Sequence, residues 1–282
     1  MIKRLICSAM LLVLLLAMPV SAKNLTEENV SIHNVKEFDL VSHTIKERTY
    51  QIDNAFTDTS SLFSNAVPFF LEPIDYAEGY PFSAIGKLSI TYENGKKGAG
   101  TAFVVADNLV LTSAHCVYDY YNGNGAATKM HFQAGYNQDG SFIATSEAST
   151  FYCSSGWTEL QDYAYDWALV KLKNPMGSAT GIIPCKVISS PVGTTVMVSG
   201  YGNSEEYDGR VQLISEGTVT SASNGKLVFN ADSLGGMSGS PVMSLDDPNL
   251  AAIGILSGTT VSGNTSGPCM NTVITNLIRN YQ

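Results

Sequence analysis

The sequence predicts an all-β protein whose strands form closed antiparallel barrels or a sandwich, with two barrels as the favoured arrangement. Short apolar runs recur from about residue 80 onwards, and turn signals rich in Gly, Asn and Asp separate them. Charged residues make up only 15% of the chain and there are 25 glycines, a composition that favours an ordered fold with many turns over a helical bundle. The apolar runs fall into two sets that meet near residues 174–182, so each set is assigned to one barrel.

The N-terminal 22 residues have the pattern of an export signal. Lys3 and Arg4 precede an almost wholly apolar run over residues 5–18, and small residues at 20–22 offer a cleavage site. The alternative is an uncleaved membrane anchor, but the apolar run is short for a spanning helix and ends at Pro19. We therefore expect a secreted protein that has no membrane association after the signal is removed.

Residues 23–64 are polar, carry charges of both signs and contain no strong strand pattern. A stretch of this kind after a signal predicts a pro-segment, although a linker or a surface-binding arm fits the same pattern. We place its end between Thr59 and Tyr80. Beyond it, we assign residues 65–178 to the N-terminal barrel and residues 179–282 to the C-terminal barrel.

The predicted elements follow one another in short steps. A strand over residues 85–91 leads into an Asn-Gly hairpin turn at residues 93–96. Further strands of the first set are expected at 101–105, 109–112, 129–132 and 167–172, and those of the second set at 195–199, 211–214, 217–220, 227–229 and 252–255. The pattern indicates a helix only over the final stretch, residues 271–281.

The cysteines indicate disulfides rather than a metal site. Cys7 lies near the start of the apolar run of the signal, so we do not expect it to carry a lipid. The four that remain are an even number in an exported chain, which favours disulfides, and of the three pairings we choose Cys116–Cys153 with Cys185–Cys269. No Cys-x-x-Cys spacing suggests zinc, so we expect neither a metal nor a cofactor.

The formal net charge of −9 argues against two classes of partner. Nucleic acid and anionic membrane surfaces both attract basic proteins. We therefore expect no nucleic-acid partner.

Ser238 lies in the segment Asp-Ser-Leu-Gly-Gly-Met-Ser-Gly-Ser-Pro, over residues 232–241. The neighbouring glycines let the backbone bend tightly, so that the N–H groups of Gly236 and Ser238 can point at one spot and stabilise an oxyanion. The simpler interpretation is a Gly/Ser-rich hairpin turn. A serine hydroxyl becomes a nucleophile only with the help of a base, so the interpretation depends on the histidines and carboxylates upstream.

His115 and Asp166 occur in fitting contexts. His115 lies in the run Leu-Thr-Ser-Ala-His-Cys, at the point where an apolar strand turns into a polar loop. The remaining histidines lack such a context. Asp166 directly precedes the apolar run Trp-Ala-Leu-Val-Lys-Leu, where a buried carboxylate could orient an imidazole. A strand-start cap is the alternative role for Asp166. Asp162 is the rival carboxylate, but it lies further from the strand.

Together the three motifs resemble those of the chymotrypsin-fold serine proteases. Thr-Ser-Ala-His-Cys, Asp-Trp-Ala-Leu-Val-Lys-Leu and Gly-Gly-Met-Ser-Gly-Ser-Pro occur in that family's order, over roughly residues 80–280. Ser-Gly-Ser-Pro, preceded by Gly-Tyr-Gly at 200–202, resembles the bacterial V8 and glutamyl endopeptidase branch. The resemblance implies two six-stranded barrels and a monomer that hydrolyses proteins or peptides through an acyl-enzyme.

By the same resemblance, His115 is the general base and acid, Asp166 orients it, and Ser238 is the nucleophile. The N–H groups of Gly236 and Ser238 hold the oxyanion, and Ser257 lies where the family pairs its backbone with an extended substrate.

This sequence also departs from the family's patterns. Met237 stands where trypsin-type enzymes have the aspartate that pairs with the new N-terminus. The V8-like branch also lacks this aspartate. Leu256 stands where glutamate-specific members carry a histidine, which argues against glutamyl specificity. Asp232, with Ser233 beside it, lies where trypsin has its pocket carboxylate, which suggests Lys/Arg specificity as one option. Residues 97–101 lack the cysteine with which the family bridges the equivalent of Cys116.

Two functions of different classes follow from these motifs. The first is a secreted serine endopeptidase made with a pro-segment. The second is a catalytically inactive member of the fold that acts as a binding or adhesion module, and the presence of all three triad residues argues against it. A metalloprotease is disfavoured because the sequence contains no His-Glu-x-x-His motif.

Overall fold

Two groups of antiparallel strands make up most of the molecule. The computed structural model describes residues 30–53, 59–60, 70–260 and 263–282, with the side chains of 30–32, 51–53 and 59–60 left out of the description. The predicted signal at residues 1–22 lies outside this range. The strands are β1 (Val30–Asp39), β2 (Thr44–Asp53), β3 (Thr59–Ser60), β4 (Glu72–Ile74), β5 (Ile85–Tyr92), β6 (Lys97–Ala106), β7 (Leu109–Thr112), β8 (Tyr118–Asp119), β9 (Gly125–Ala134), β10 (Ala144–Ser154), β11 (Ala168–Leu172), β12 (Thr195–Asn203), β13 (Asp208–Ser223), β14 (Lys226–Phe229), β15 (Pro241–Ser244), β16 (Ala252–Ile255), β17 (Gly258–Thr259) and β18 (Thr265–Pro268).

The first group closes into a six-stranded barrel. Its strands follow the order β10-β11-β7-β6-β5-β9, and β9 pairs again with β10 to complete the ring. Their inward side chains are apolar and fully buried; β7 and most of β6 are buried along their whole length. Burial of this apolar surface is the main favourable contribution to the barrel's stability.

The second group follows the order β16-β15-β12-β13-β14-β18-β17. β13 is long enough to pair with β12 through its first half and with β14 through its second. The bridge between Gly254 and Cys269 joins β16 to the end of β18, so the six longer strands curl back on themselves. The predicted all-β fold with two six-stranded barrels is therefore confirmed.

Four α-helices complete the described chain: α1 (Ala114–Val117), α2 (Ser155–Thr158), α3 (Gly177–Thr180) and α4 (Thr272–Tyr281). The first three are single turns. α4 is the helix predicted at the C-terminus, and the side chain of Asn271 caps it by accepting from the backbone N–H of Ile274 at 3.1 Å. In the described part of the chain, no helix has the length and apolar character needed to cross a bilayer.

The region predicted to lack strands contains a hairpin, so that prediction was wrong. β1 and β2 pair with each other, and β1 also pairs with β10 from Val35, opposite Ser154, to Asp39, opposite Thr150. Only two of its described side chains are buried, Val35 and Phe38, and they are three residues apart instead of alternating. The hairpin is an addition at the barrel's edge with one exposed strand, which is why no period-two pattern marks it.

The predicted disulfides are absent. Cys116, Cys153, Cys185 and Cys269 are all free thiols in the structure. The Cys116 thiol faces the backbone carbonyl of Ser238 at 3.7 Å, whereas that of Cys153 lies in β10 against the carbonyl of Ser154 at 3.9 Å. The two sulfur atoms thus contact different neighbours, and the expected Cys116–Cys153 pair is not formed. Burial raises the pKa of Cys269 to about 12, so its thiol stays protonated.

Candidate active site

The predicted base is held at the end of a buried strand. β7 runs through the first barrel's core to Thr112, and the single turn α1 then carries His115 into the cleft between the two barrels. The imidazole is mostly buried, with 27% of its side-chain surface exposed. A base in this position is rigidly held and still accessible to a substrate.

Asp166 lies beside His115 because β11 and β7 are neighbours. Ala168 at the start of β11 pairs with Thr112 at the end of β7, which brings the residues on either side of these ends together. One carboxylate oxygen of the fully buried Asp166 accepts from the backbone N–H of His115 at 2.8 Å, and the other lies 2.8 Å from His115 Nδ1. Both oxygens are therefore used to fix the orientation of the histidine.

The rival carboxylate has a local role. Asp162 is exposed, and its side chain accepts from the backbone N–H of Ala164, where it caps a short 3-10 turn. This turn leads directly into Asp166. Asp162 thus shapes the approach to the site without contacting the imidazole.

The charges around His115 shift its pKa upwards. Burial of the imidazole lowers the pKa, while the carboxylate of Asp166 raises it, as does Cys116. The net result is a pKa of His115 above its ordinary value, because the imidazolium lies against a buried negative charge. A base with this property is neutral, and so active, only on the alkaline side of that shifted pKa.

Ser238 lies in the loop between β14 and β15, which packs against the first barrel. Its carbonyl oxygen accepts from the backbone N–H of Thr101 at 2.8 Å and lies 3.7 Å from the sulfur of Cys116, the residue after the predicted base. Its hydroxyl donates to the carbonyl oxygen of Ser257 at 3.1 Å. Within the described residues it makes no hydrogen bond to His115, so a rotation about χ1 is needed to bring the hydroxyl to the imidazole.

A hydrogen bond fixes the orientation of the peptide between Gly235 and Gly236. The carbonyl oxygen of Gly235 accepts from the backbone N–H of Asn203 at 2.7 Å. A trans peptide points its N–H away from its carbonyl, so the N–H of Gly236 faces the opposite side, towards the serine loop. Among the described residues no acceptor is bonded to the N–H of Gly236 or of Ser238. Two free donors in one tight loop can bind a negative oxygen.

The predicted specificity residues are spread over different environments. Ser257 is part of the cleft and accepts from the nucleophile's hydroxyl. Leu256 is 1% exposed and packs in the core of the second barrel. Asp232 is exposed, and its backbone N–H donates to the hydroxyl of Ser215 at 2.9 Å, while the Ser233 hydroxyl lies 3.2 Å from that of Thr265. The structure places Asp166 against His115, and Ser238 against Ser257, which lines the same cavity as His115. Asp232 and Leu256 lie outside this cavity.

A cavity of about 600 Å³ opens beside His115 and Ser257. Sequence reasoning missed three of its lining residues, Tyr121, Tyr163 and Lys226. The rings of the two tyrosines stack with centroids 6.1 Å apart, and their hydrogen bond, followed by burial, raises the pKa of Tyr163 to about 12. The Tyr-rich stretch after His115 was a signal for this wall, but only the fold brings Tyr163 and Lys226 to it.

No metal centre accompanies these residues in the described part of the chain: it contains no group of three or more His, Cys, Asp or Glu side chains arranged to hold an ion.

Comparison with known proteins identifies a family and several relatives. A family model described as Trypsin matches residues 77–279. The chain is 31% identical over 208 residues to a Bacillus subtilis protein named extracellular metalloprotease, covering 72% of this chain and 65% of that protein. It is 29% identical over 198 residues to the glutamyl endopeptidase of Bacillus licheniformis, covering 70% of this chain and 56% of that protein. The matched regions thus span less than two thirds of these relatives' lengths.

A solved structure of a Glu endopeptidase in complex with MPD has the same fold, with a TM-score of 0.65 at 23% identity. The match covers 75% of this chain and 95% of that one.

Proposed function

The chain belongs to the trypsin family of serine endopeptidases, and from that premise we propose that His115, Asp166 and Ser238 are the groups with which it hydrolyses peptide bonds. One observation carries the proposal. A fully buried carboxylate uses both of its oxygens on His115, in the same cleft as a glycine-flanked serine. Burial of such a pair costs free energy, so its presence in a cleft indicates a function beyond packing.

In the proposed first step the hydroxyl of Ser238 turns from the carbonyl of Ser257 towards His115. The Nε2 atom of His115 takes the hydroxyl proton while Oγ bonds to the carbonyl carbon of the substrate. The substrate oxygen becomes negative and is bound by the N–H groups of Gly236 and Ser238. Asp166 stabilises the imidazolium, which then protonates the leaving amine as the C–N bond breaks.

The second step regenerates the enzyme. A water molecule gives a proton to His115 and its oxygen attacks the acyl carbon, and the proton then returns to Ser238 Oγ as the acid product leaves. The N–H groups of Gly236 and Ser238 and the carboxylate of Asp166 have the same roles in both steps. A free enzyme with the serine hydroxyl turned aside is compatible with this scheme, because catalytic hydrogen bonds often form only in the complex.

We propose that the acyl half of the substrate binds along β17. This short strand is the last in the order of the second sheet, so one of its edges is free to pair with an extended peptide. It follows Ser257 directly, and residues Ser257–Thr260 line the cavity beside His115. Substrate side chains before the cut would then contact Tyr121 and Tyr163.

Specificity is proposed to differ from that of the glutamyl relative. Leu256 supplies no cation and its side chain is buried in the core, so it cannot bind a glutamate carboxylate in the way that a histidine at this place would. Asp232 remains the candidate for recognising Lys or Arg, although its carboxylate is exposed and lies outside the cavity beside His115.

We also propose that the protein is exported as a monomer after removal of residues 1–22. The name of the Bacillus subtilis relative, an extracellular protease, supports export. A pro-segment within residues 23–64 remains part of the proposal. The β1–β2 hairpin, however, is paired to the barrel, which favours its retention in the active protein.

Incubation of the purified protein with a mixed peptide library, followed by mass spectrometry, tests the function. We expect internal cuts by the wild type and none by Ser238→Ala. Cuts after Lys or Arg would assign Asp232 to substrate recognition, and cuts after Glu or Asp would require another cation. Equal cutting by both proteins, or none by either, would reject the triad proposal.

A further inference from the structure

A second cavity lies on the other side of the oxyanion loop. It has a volume of about 260 Å³, and its wall includes Gly235 and Gly236 together with Gly100. A Cβ atom on Gly100 would lie 3.2 Å from the carbonyl oxygen of Ser238, so this cavity reaches the serine loop. None of its lining residues is shared with the cavity beside His115.

The second cavity lies on the side of Ser238 towards which the leaving half of a substrate would extend. The proposed acyl half pairs with β17, whose residues line the cavity beside His115. An extended peptide that passes Ser238 continues beyond the oxyanion loop, away from β17. The second cavity therefore lies where the leaving half of the peptide runs.

Lys87 on β5 gives this cavity a cation. Its side chain is half-buried, and its ammonium lies 5.3 Å from the ring centroid of Tyr136, a cation–π distance. Among the described residues, no carboxylate lies within 4.0 Å of it. Burial lowers the pKa of Lys87, which means that the ammonium has lost part of its water and gains from an anionic partner.

Asp208 lines the same cavity and its charge raises the pKa of Lys87, but it forms no ion pair with Lys87. Its carboxylate binds the guanidinium of Arg210, with Nε donating at 2.7 Å. Arg210 is not among the lining residues, but it pairs with Asp208, so Lys87 is left as the lining cation that has no carboxylate bound to it.

We propose that the second cavity is a leaving-group subsite in which Lys87 binds a carboxylate carried by one of the first two residues after the cut. The carboxylate is either an acidic side chain or the C-terminus of a short peptide. The inference rests on the proposed endopeptidase function and adds a preference on the side of the cut that neither Asp232 nor Leu256 can reach. A partly desolvated cation facing a carboxylate gives selectivity mainly against neutral analogues.

Four peptides of one sequence test it, each cut two residues before its end. The last residue is Glu or Gln, and the C-terminus is free or amidated. For the wild type we expect kcat/KM about tenfold higher for a peptide with a carboxylate than for the neutral Gln-amide peptide, a ratio that corresponds to about 1.4 kcal/mol. If kcat/KM is higher for Glu than for Gln peptides, the side chain is the ligand of Lys87. If kcat/KM is higher for peptides with a free C-terminus than for amidated ones, the C-terminal carboxylate is the ligand.

Variants assign the effect to Lys87. Lys87→Gln is expected to bring the ratio to within about twofold of unity, while Lys87→Arg retains most of it. Lys96→Gln is the matched control, because it removes the same charge from the exposed turn at the far end of the same hairpin. It should leave the ratio at the wild-type value. Each result is a ratio within one variant, so a partly unfolded sample does not distort it.

The outcomes distinguish a failure of the proposed subsite from a failure of the proposed endopeptidase function. A wild type that cuts all four peptides at equal rates, or a ratio that persists in Lys87→Gln, overturns the subsite and leaves the endopeptidase function intact. Absence of cutting in every peptide overturns the function and the subsite together.

Discussion

The carbonyl oxygen of Gly235 accepts a hydrogen bond from the backbone N–H of Asn203 at 2.7 Å. This contact joins the serine loop to the end of β12, and because the peptide is trans it directs the N–H of Gly236 away from Asn203. In the proposed mechanism this N–H is one of the two oxyanion donors. Donors that are fixed before the substrate arrives do not need to reorient during the reaction, which is the physical basis of electrostatic preorganisation.

Gly236→Ala is expected to lower kcat by about 10²- to 10³-fold, the usual cost of losing one oxyanion donor. Gly236 has a φ of +92°, and a Cβ atom there would lie 2.5 Å from the backbone carbonyl of Tyr201. The loop must therefore shift, taking its N–H out of position. Gly235→Ala is the control, because a Cβ at Gly235 meets no atom within 4 Å. A similar loss in both variants, measured by steady-state kinetics, would contradict this account.

The pH–rate profile is expected to fall on the acid side with a midpoint above 6.5, the ordinary pKa of histidine. Protonation of His115 removes the base, and Asp166 stabilises the protonated form, so activity is present above the raised pKa and is lost as the pH falls through it. A profile that is flat between about pH 5 and 8 would exclude His115 as the base.

Asp166→Asn tests the same pair from the other side. Without the carboxylate the largest influence that raises the pKa of His115 is lost, so the acid midpoint should move to lower pH while kcat falls by about 10⁴-fold. Asp162→Asn is the matched control, since an asparagine can still cap the turn at Ala164. The account predicts a kcat for this control close to that of the wild type, and equal losses in both variants would refute the assignment of Asp166.

The hairpin is expected to contribute to the stability of the barrel. The Phe38 ring stacks on Phe151 at a centroid distance of 4.4 Å and is 6% exposed, so Phe38→Ala should destabilise the protein by about 3 kcal/mol. Ile45, which lies opposite Phe38 on β2 and is 61% exposed, gives the control Ile45→Ala with little effect. Urea unfolding measures both. Equal stability of Phe38→Ala and wild type would mean that the hairpin is dispensable, as a removable pro-segment would be.

The hairpin also touches the segment that carries Asp166. Lys36 forms an ion pair with Glu159 at 2.6 Å, and the Ser155 hydroxyl donates to Glu47 at 3.3 Å. These contacts lie on the stretch that leads from β10 to Asp166. Loss of the hairpin is therefore expected to lower activity as well as stability.

Free thiols are the expected chemical state of the cysteines. Alkylation of the denatured, unreduced protein should modify Cys116, Cys153, Cys185 and Cys269, and reducing agent should leave the Tm unchanged. Cys153 has no exposed surface and burial raises its pKa, so it should resist alkylation in the native state. Peptide mapping by mass spectrometry measures each site. Cysteines protected from alkylation until reduction would show that disulfides form after all.

The three proposed catalytic residues could be selected from the sequence because their signals are local. His115 follows an apolar strand, Asp166 precedes another, and Ser238 has glycines on both sides, so each residue's setting could be interpreted without the fold. The first two are 51 residues apart in the chain, and their approach to 2.8 Å depends on the pairing of β7 with β11. A single sequence contains no direct record of such a pairing.

The features that the sequence could not predict depend on the direction in which side chains point and on strands at the edge of a sheet. Leu256 and Ser257 are neighbours, yet one packs in the core while the other lines the cleft. β2 is exposed over its described side chains except for the half-buried Tyr50, so neither hydrophobic period marked it. The cavity around Lys87 combines residues from β5, β12 and β13, a combination that only the assembled barrels create.

The most direct test of the central claim is labelling of the purified protein with a serine-directed fluorophosphonate, followed by mapping of the adduct. The account predicts one adduct on Ser238, absent in Ser238→Ala and strongly slowed in His115→Ala, since the hydroxyl needs its base. Folded Ser238→Ala with unchanged circular dichroism provides the control. A folded wild type that is not labelled, or an adduct on another serine, would contradict the account and favour the inactive binding module.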